Sequence, residues 1–162
     1  MSLLLGEARN PFVHLVEASP DARLALEQSR LERTQNNGYY LWHLTASLTF
    51  LGRLDEADQT MRKAMADWHR DGLLLYFGGL LALLLAEKGR YADAVRVDSA
   101  AMAFIDRSGV AQYPLLERSR AQLQQRLAAA SLEPADAQRW RREGERLDEV
   151  ALEAICLGGG GA

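Results

Sequence analysis

Apolar residues recur at three- and four-residue steps along most of the chain, and this spacing constrains the fold more than any other feature. Between residues 39 and 51, leucines follow that spacing at Leu41, Leu44, Leu48 and Leu51. Such spacing places apolar side chains on one face of an α-helix. No run of alternating β-branched residues, which would indicate a half-buried strand, occurs in the 162 residues. The sequence therefore predicts an all-α fold.

Prolines and glycines divide this pattern into separate helices. A proline is tolerated in the first turn of a helix because its missing N–H would be unpaired there anyway. Short segments such as Gly52-Arg53 and Gly89-Arg90 interrupt the apolar spacing and predict tight turns. The predicted helices cover residues 21–33, 39–51, 55–68, 73–88, 91–105 and 113–130, and Pro134 opens the last helix.

Two segments that lie 37 residues apart share one pattern. Residues 51–57 read Leu-Gly-Arg-Leu-Asp-Glu-Ala, and residues 88–94 read Lys-Gly-Arg-Tyr-Ala-Asp-Ala. When the 37-residue offset is continued beyond these segments, Ala64 corresponds to Ala101, and the apolar Met61 corresponds to the acidic Asp98. The pattern resembles the tetratricopeptide repeat, a helix-turn-helix unit of about 34 residues. Members of that family place leucines in the first helix, glycine in the turn and small residues in the second helix.

The resemblance implies antiparallel helix pairs stacked as a short α-solenoid with a C-terminal capping helix. It implies one helical-repeat domain over residues 1–157, followed by a flexible glycine tail at 158–162. Small residues in the second helix of each unit would let neighbouring helices approach closely. A generic helical bundle stays open as the alternative, because amphipathic helix pairs with short loops satisfy both patterns. The clear units cover residues 39–71 and 73–107, and degenerate flanking units cover 3–36 and 113–154.

Composition and charge exclude several classes of protein. The chain carries 19 basic and 22 acidic side chains, for a net charge of −3, which argues against a nucleic-acid-binding protein. One cysteine, Cys156, allows no intramolecular disulfide and fits a reducing compartment. The first residues lack the basic start of a secretory signal. The most apolar stretch, residues 73–86, is shorter than the about 20 residues of a membrane span. We therefore expect a cytoplasmic protein with no nucleic-acid partner and no membrane partner.

No group of residues predicts catalysis. His14, His43 and His69 lie far apart and lack the spacing of zinc ligands on one helix. Cys156 has no adjacent base and is followed closely by glycines, so it is a poor candidate for a nucleophile. The sequence therefore predicts that the chain is not an enzyme and holds no metal and no cofactor.

The resemblance also implies where a partner would bind, because the first helix of each repeat lines the concave side of such arrays. Helical positions counted back from the turn glycines, Gly52 and Gly89, predict that aromatic and aliphatic side chains line this groove. An apolar groove suits an apolar helical or extended partner segment. An ordinary core position is the alternative for Trp42 and Leu83, since the phase of a helix can be wrong by one residue. The predicted partner-binding residues are Tyr39, Trp42, Thr49, Phe50, Tyr76 and Leu83.

The last predicted helix carries an apolar stripe of its own. Opposite the stripe lie arginines and acidic residues, which is the pattern of an amphipathic helix. Such a helix would cap the array, or it would occupy the groove of its own or a second copy, giving autoinhibition or a homodimer. The stripe consists of Trp140, Leu147, Val150, Ala151 and Ala154.

Two functions follow from these expectations. The first is a protein–protein interaction module, an adaptor or a chaperone-like protein, whose partner is another protein or peptide or a second copy of the chain. The alternative is an oligomerisation or ligand-sensing module of a bacterial transcription regulator, because helical repeats that resemble these occur in such regulators.

Overall fold

The computed structural model describes residues 37–112 and 114–158, with the side chains of residues 37–39 outside that description. These residues form seven α-helices and no strand, which confirms the all-α prediction for this part of the chain. The predicted unit at 3–36 and the tail beyond residue 158 lie outside the described residues. The helices are α1 (Asn37–Phe50), α2 (Leu54–Arg70), α3 (Gly78–Glu87), α4 (Tyr91–Ser108), α5 (Pro114–Ala129), α6 (Pro134–Gly144) and α7 (Glu149–Cys156).

The described residues fall into two compact units, and the boundary between them lies after Ala64, within α2. In the first unit, α1 buries Trp42, Ala46 and Leu48. Its two buried threonines bond back to the helix: the Thr45 hydroxyl donates to the Leu41 carbonyl and the Thr49 hydroxyl to the Thr45 carbonyl, each at 2.7 Å. These bonds satisfy hydroxyl groups that would otherwise be costly to bury.

The 37-residue repeat of the sequence is also a repeat of local structure at two turns. Gly52 and Gly89 have φ angles of +75° and +81°, which favour glycine over any residue with a side chain. The glycine N–H and the following arginine N–H donate to carbonyls three and five residues back, as in a Schellman motif. These bonds are Gly52 to Thr49 (3.1 Å), Arg53 to Leu48 (2.9 Å), Gly89 to Ala86 (2.9 Å) and Arg90 to Leu85 (2.9 Å). The stacking of repeat units into an α-solenoid stays a prediction.

Helix α3 forms the centre of the second unit and packs against both α4 and α5. All its residues from Gly78 to Ala86 are buried. A methyl group built on Gly78 would lie 2.6 Å from the Ala101 side chain, so α3 and α4 approach each other too closely for any larger residue there. Although α3 is so apolar, none of the helices in the described residues combines the length and hydrophobicity of a membrane span.

Helices α4 and α6 also pack against each other, and Gly144 lies at this contact. A methyl group on Gly144 would lie 2.2 Å from the carbonyl oxygen of Arg96 and 2.7 Å from the Cβ of Ser99. The Ser99 hydroxyl donates to the Arg141 carbonyl at 2.8 Å. The end of α6 is therefore held against the middle of α4 by close backbone contact and by a hydrogen bond.

Two predicted helix boundaries are wrong. The helix opened by Pro134 ends at Gly144, and a separate helix, α7, begins at Glu149. The side chain of Asp148 accepts a hydrogen bond from the Ala151 N–H at 2.8 Å and caps this new helix. Likewise, the helix predicted from Leu73 begins only at Gly78. Residues 74–77 form turns, and Phe77 packs edge-on against Trp68 with ring centres 5.5 Å apart.

Candidate functional site

The predicted groove residues differ in accessibility. Trp42, Thr49 and Leu83 are at most 1% exposed, so their side chains are not accessible to a partner in this structure. Phe50 and Tyr76 are partly exposed. The Tyr76 hydroxyl donates to the carbonyl of Ala111 at 3.2 Å. Tyr39 lies in the first turn of α1, and its side chain is outside the described residues. The binding role of these residues stays a prediction, and among those whose side chains the structure describes, Phe50 and Tyr76 are accessible.

The outer face of α7 exposes apolar side chains. Val150 is 65% exposed, Ala154 is exposed, and Leu157, just beyond the helix, is 36% exposed. Steps of four and three residues place these positions on one face of a helix. We call this surface, Val150 with Ala154 and Leu157, the outer stripe. Trp140, Leu147 and Ala151, which the sequence analysis placed on the same stripe as Val150, are only partly exposed.

The inner face of α7 is held in the second unit by apolar and polar contacts. Leu152 and Cys156 are fully buried, and Ile155 is 7% exposed. The Arg90 guanidinium donates to the Ile155 carbonyl at 2.8 Å. On the same helix, the carboxylate of Glu153 pairs with Nδ1 of His69, at the end of α2. Helix α7 is thus fixed in position, and its outer stripe is presented on a supported surface.

The histidines and acidic residues do not assemble a metal site within the described residues. No group of three or more potential metal-binding side chains occurs in residues 37–112 and 114–158. His69 contacts the single carboxylate of Glu153, and His43 packs against Trp42 with ring centres 4.7 Å apart. His14 lies outside the described residues.

Charged residues connect α4 to α6. The Asp93 carboxylate accepts hydrogen bonds from Arg90 (2.7 Å) and Arg96 (3.1 Å), and Arg96 also donates to Glu143 of α6 at 2.6 Å. Partial burial lowers the pKa of Arg96, but the hydrogen bonds and negative charges of Glu143 and Asp93 outweigh it and raise that pKa above its ordinary value. Arg96 therefore stays charged and contributes to the α4–α6 contact.

A partly open cavity of about 200 Å³ lies between α4, α5 and α6. Its apolar walls are Val95, Met102 and Leu127. The polar lining comprises Asp98 and Ser99 of α4, Arg120 and Gln124 of α5, and Arg141 of α6. The Arg120 guanidinium donates to both carboxylate oxygens of Asp98, at 3.0 and 3.3 Å.

Sequence reasoning missed this cavity. Its polar residues come from three helices, and neither periodicity nor motif spacing connects them. The sequence contains one signal for the cavity: at the 37-residue offset of the repeat, the acidic Asp98 corresponds to the apolar Met61. A short acidic residue there leaves room that a large apolar side chain would fill.

Comparison with known proteins identifies no relative of the chain. No protein-family model, no curated protein and no solved structure matches it. The function must therefore be argued from the outer stripe and the cavity themselves.

Proposed function

We propose that the chain is a protein–protein interaction module, of the adaptor or chaperone-like kind, that binds an apolar partner segment. The observation that supports the proposal is the exposure of the outer stripe on α7, a helix whose opposite face is buried. Val150 alone is 65% exposed. Contiguous exposed apolar surface marks an interaction site in many proteins. The stripe therefore favours a partner that covers it.

The chemistry of α7 favours a helical partner segment. The charged side chains of this helix are Glu149 and Glu153, and Glu153 is engaged with His69. The outer stripe thus offers apolar contact at steps of four and three residues. An amphipathic helix packs onto such a stripe with its own residues at the same spacing. The groove prediction for Phe50 and Tyr76, which are partly exposed, is separate from the proposal for the outer stripe.

The test is affinity capture of the tagged chain from its native lysate, combined with light scattering on the eluate. We expect a stoichiometric foreign protein in the wild-type eluate that is lost with Val150→Asp, because a carboxylate in the stripe must be desolvated on binding. Val110→Asp is the matched control, since Val110 is also an exposed valine, at 40%, but lies outside α7. A partner that Val150→Asp and the wild type retain equally would contradict the proposal.

A second candidate is an oligomerisation or ligand-sensing module of a bacterial transcription regulator. The cavity between α4, α5 and α6 favours ligand sensing, because it combines apolar walls with a few polar groups, as small-molecule sites do. Light scattering separates the oligomerisation function from the adaptor function. A homodimer that Val150→Asp converts to a monomer, with no foreign protein attached, would assign the outer stripe to self-association.

A further inference from the structure

The cavity between α4, α5 and α6 carries an uneven charge. Two arginines and one aspartate line it, so the lining has one net positive charge. The paired hydrogen bonds between Arg120 and Asp98 neutralise those two side chains against each other. Arg141 supplies the remaining charge, and no acidic side chain in residues 37–112 or 114–158 forms an ion pair with it. The charge pattern suits a ligand with a single negative charge.

The backbone of Arg141 is held against α4. Its carbonyl accepts the Ser99 hydroxyl at 2.8 Å, and three residues later Gly144 lies against the backbone of α4. Its side chain therefore starts from a point that is held relative to the apolar walls. A fixed attachment point limits the positions that the exposed Arg141 guanidinium can reach, which reduces part of the entropic cost of binding. The Ser99 hydroxyl hydrogen is already donated, so its oxygen can still accept a hydrogen bond.

The size and the walls of the cavity limit the rest of the ligand. Val95, Met102 and Leu127 provide the apolar part of the lining. The volume of about 200 Å³ is somewhat larger than a cavity of about 150 Å³ that holds benzene in another protein. It is smaller than the roughly 300–1,000 Å³ of sites for drug-sized molecules. A compact aromatic or branched aliphatic group therefore fits, and a long chain does not.

We infer that this cavity is a binding site for a small monocarboxylate with a compact apolar body, recognised by Arg141. The Arg141 guanidinium binds the carboxylate, and the apolar walls contact the body. Gln124 at the rim offers an amide as a further hydrogen-bond partner. The inference deepens the ligand-sensing candidate and rests on it for its biological meaning. The cavity is lined by α4, α5 and α6 and not by α7, so ligand binding is measured independently of the outer stripe.

Benzoate is the probe, with two matched ligands for comparison. Benzamide has the same body without the charge, and inorganic phosphate has charge without the body. Calorimetric titration of the full chain should give a benzoate dissociation constant on the order of 1 mM or below. Benzamide should bind at least about fivefold more weakly, and phosphate at least about tenfold more weakly. Absence of benzoate binding, or equal binding of benzoate and either comparison ligand, would overturn the inference.

Two variants locate the binding. Arg141→Gln should weaken benzoate about fivefold and leave benzamide unchanged, since it removes charge from an exposed position. Arg142→Gln is the matched control, because Arg142 is exposed on the same helix but does not line the cavity. Equal weakening by both substitutions would assign the effect to the general positive charge of α6 and overturn the inference.

Leu127→Glu places a carboxylate in the lining and should weaken benzoate at least about tenfold through repulsion of like charges. Leu127 is partly exposed, so circular dichroism should show unchanged helix content. Folded Leu127→Glu protein that binds benzoate as the wild type does would overturn the inference. Val150→Asp should bind benzoate normally, so a failure of the outer stripe as a docking surface and a failure of this site give different results.

Discussion

Helices α3 and α7 are both short and apolar, but they end up in different surroundings. In α3, every residue from Gly78 to Ala86 is buried, because α4 and α5 pack on it from different sides. In α7, Leu152, Ile155 and Cys156 are buried, whereas Val150 and Ala154 are exposed. The comparison shows that apolar composition alone does not define a core helix. What differs is whether another element covers the second face, and for α7 we propose that a partner does so.

Among the variants that test this comparison, we expect the largest loss of stability at Leu83, a fully buried residue of α3. Leu83→Ala should lower the free energy of unfolding by about 2–5 kcal/mol, since it removes buried methyl groups and leaves a void. Urea denaturation followed by circular dichroism measures the loss. A loss below about 1 kcal/mol would show that α3 is not packed as a core helix.

The next largest effect tests the close contact of α3 with α4. Gly78→Ala should cost about 1–3 kcal/mol in unfolding free energy, because its methyl group would lie 2.6 Å from the Ala101 side chain. The neighbouring Gly79→Ala is the control. There the new methyl group would meet Cγ of Arg120 at 3.2 Å, and the aliphatic part of that side chain can shift slightly while its guanidinium stays paired with Asp98, so we expect a change of less than about 1 kcal/mol. Equal losses for the two variants in thermal or urea unfolding would contradict this contact.

A smaller effect tests the start of α7. Asp148→Ala removes the carboxylate that accepts from the Ala151 N–H and should cost about 1 kcal/mol. Glu145→Ala, at an exposed position before the cap, should change the unfolding free energy by less than about 0.5 kcal/mol. Hydrogen exchange of the α7 amides provides the local measurement. Unchanged exchange in the Asp148 variant would mean that tertiary contacts alone hold the helix.

The smallest effect on stability is expected at the outer stripe. Val150→Ala should change the unfolding free energy by less than about 0.5 kcal/mol, because the valine is already 65% exposed. On the same helix, Leu152→Ala should cost about 2 kcal/mol or more, since Leu152 is fully buried. A similar loss at both positions would remove the distinction between the two faces of α7, and with it the reason to expect a partner there.

Local patterns predicted much of the helical framework. The spacing of leucines and alanines and the positions of Gly52 and Gly89 predicted α1, α2 and α4 to within a few residues, because turn chemistry is encoded in neighbouring residues. The break between α6 and α7 was missed because the apolar positions from Trp140 to Ala154 were interpreted as one helix, although the N-cap Asp148 is a local signal for a new start. The packing of Gly144 against Arg96, 48 positions earlier in the sequence, is a contact that no local pattern reveals.

The candidate sites were harder to predict than the helices. Helical spacing identifies an apolar side chain but does not say whether it faces a neighbouring helix or an open groove, and for Trp42 and Leu83 the structure gives a buried position. The pairing of Arg120 with Asp98 joins two helices and depends on their packing. Sequence reasoning noted only that Asp98 departs from the repeat.

The crossing of α4 and α6 has a consequence for how this chain can diverge. At Gly144, a methyl group would lie 2.2 Å from a backbone oxygen, which cannot rotate away as a side chain can. Exposed α6 positions such as Arg142 face no such limit. A distant descendant of the same ancestor that keeps this crossing must keep a glycine there, even after most of its surface has changed. The contact is made by the backbone of Arg96, so the side chain at that position can vary. A glycine retained 48 positions after it would therefore identify such a descendant.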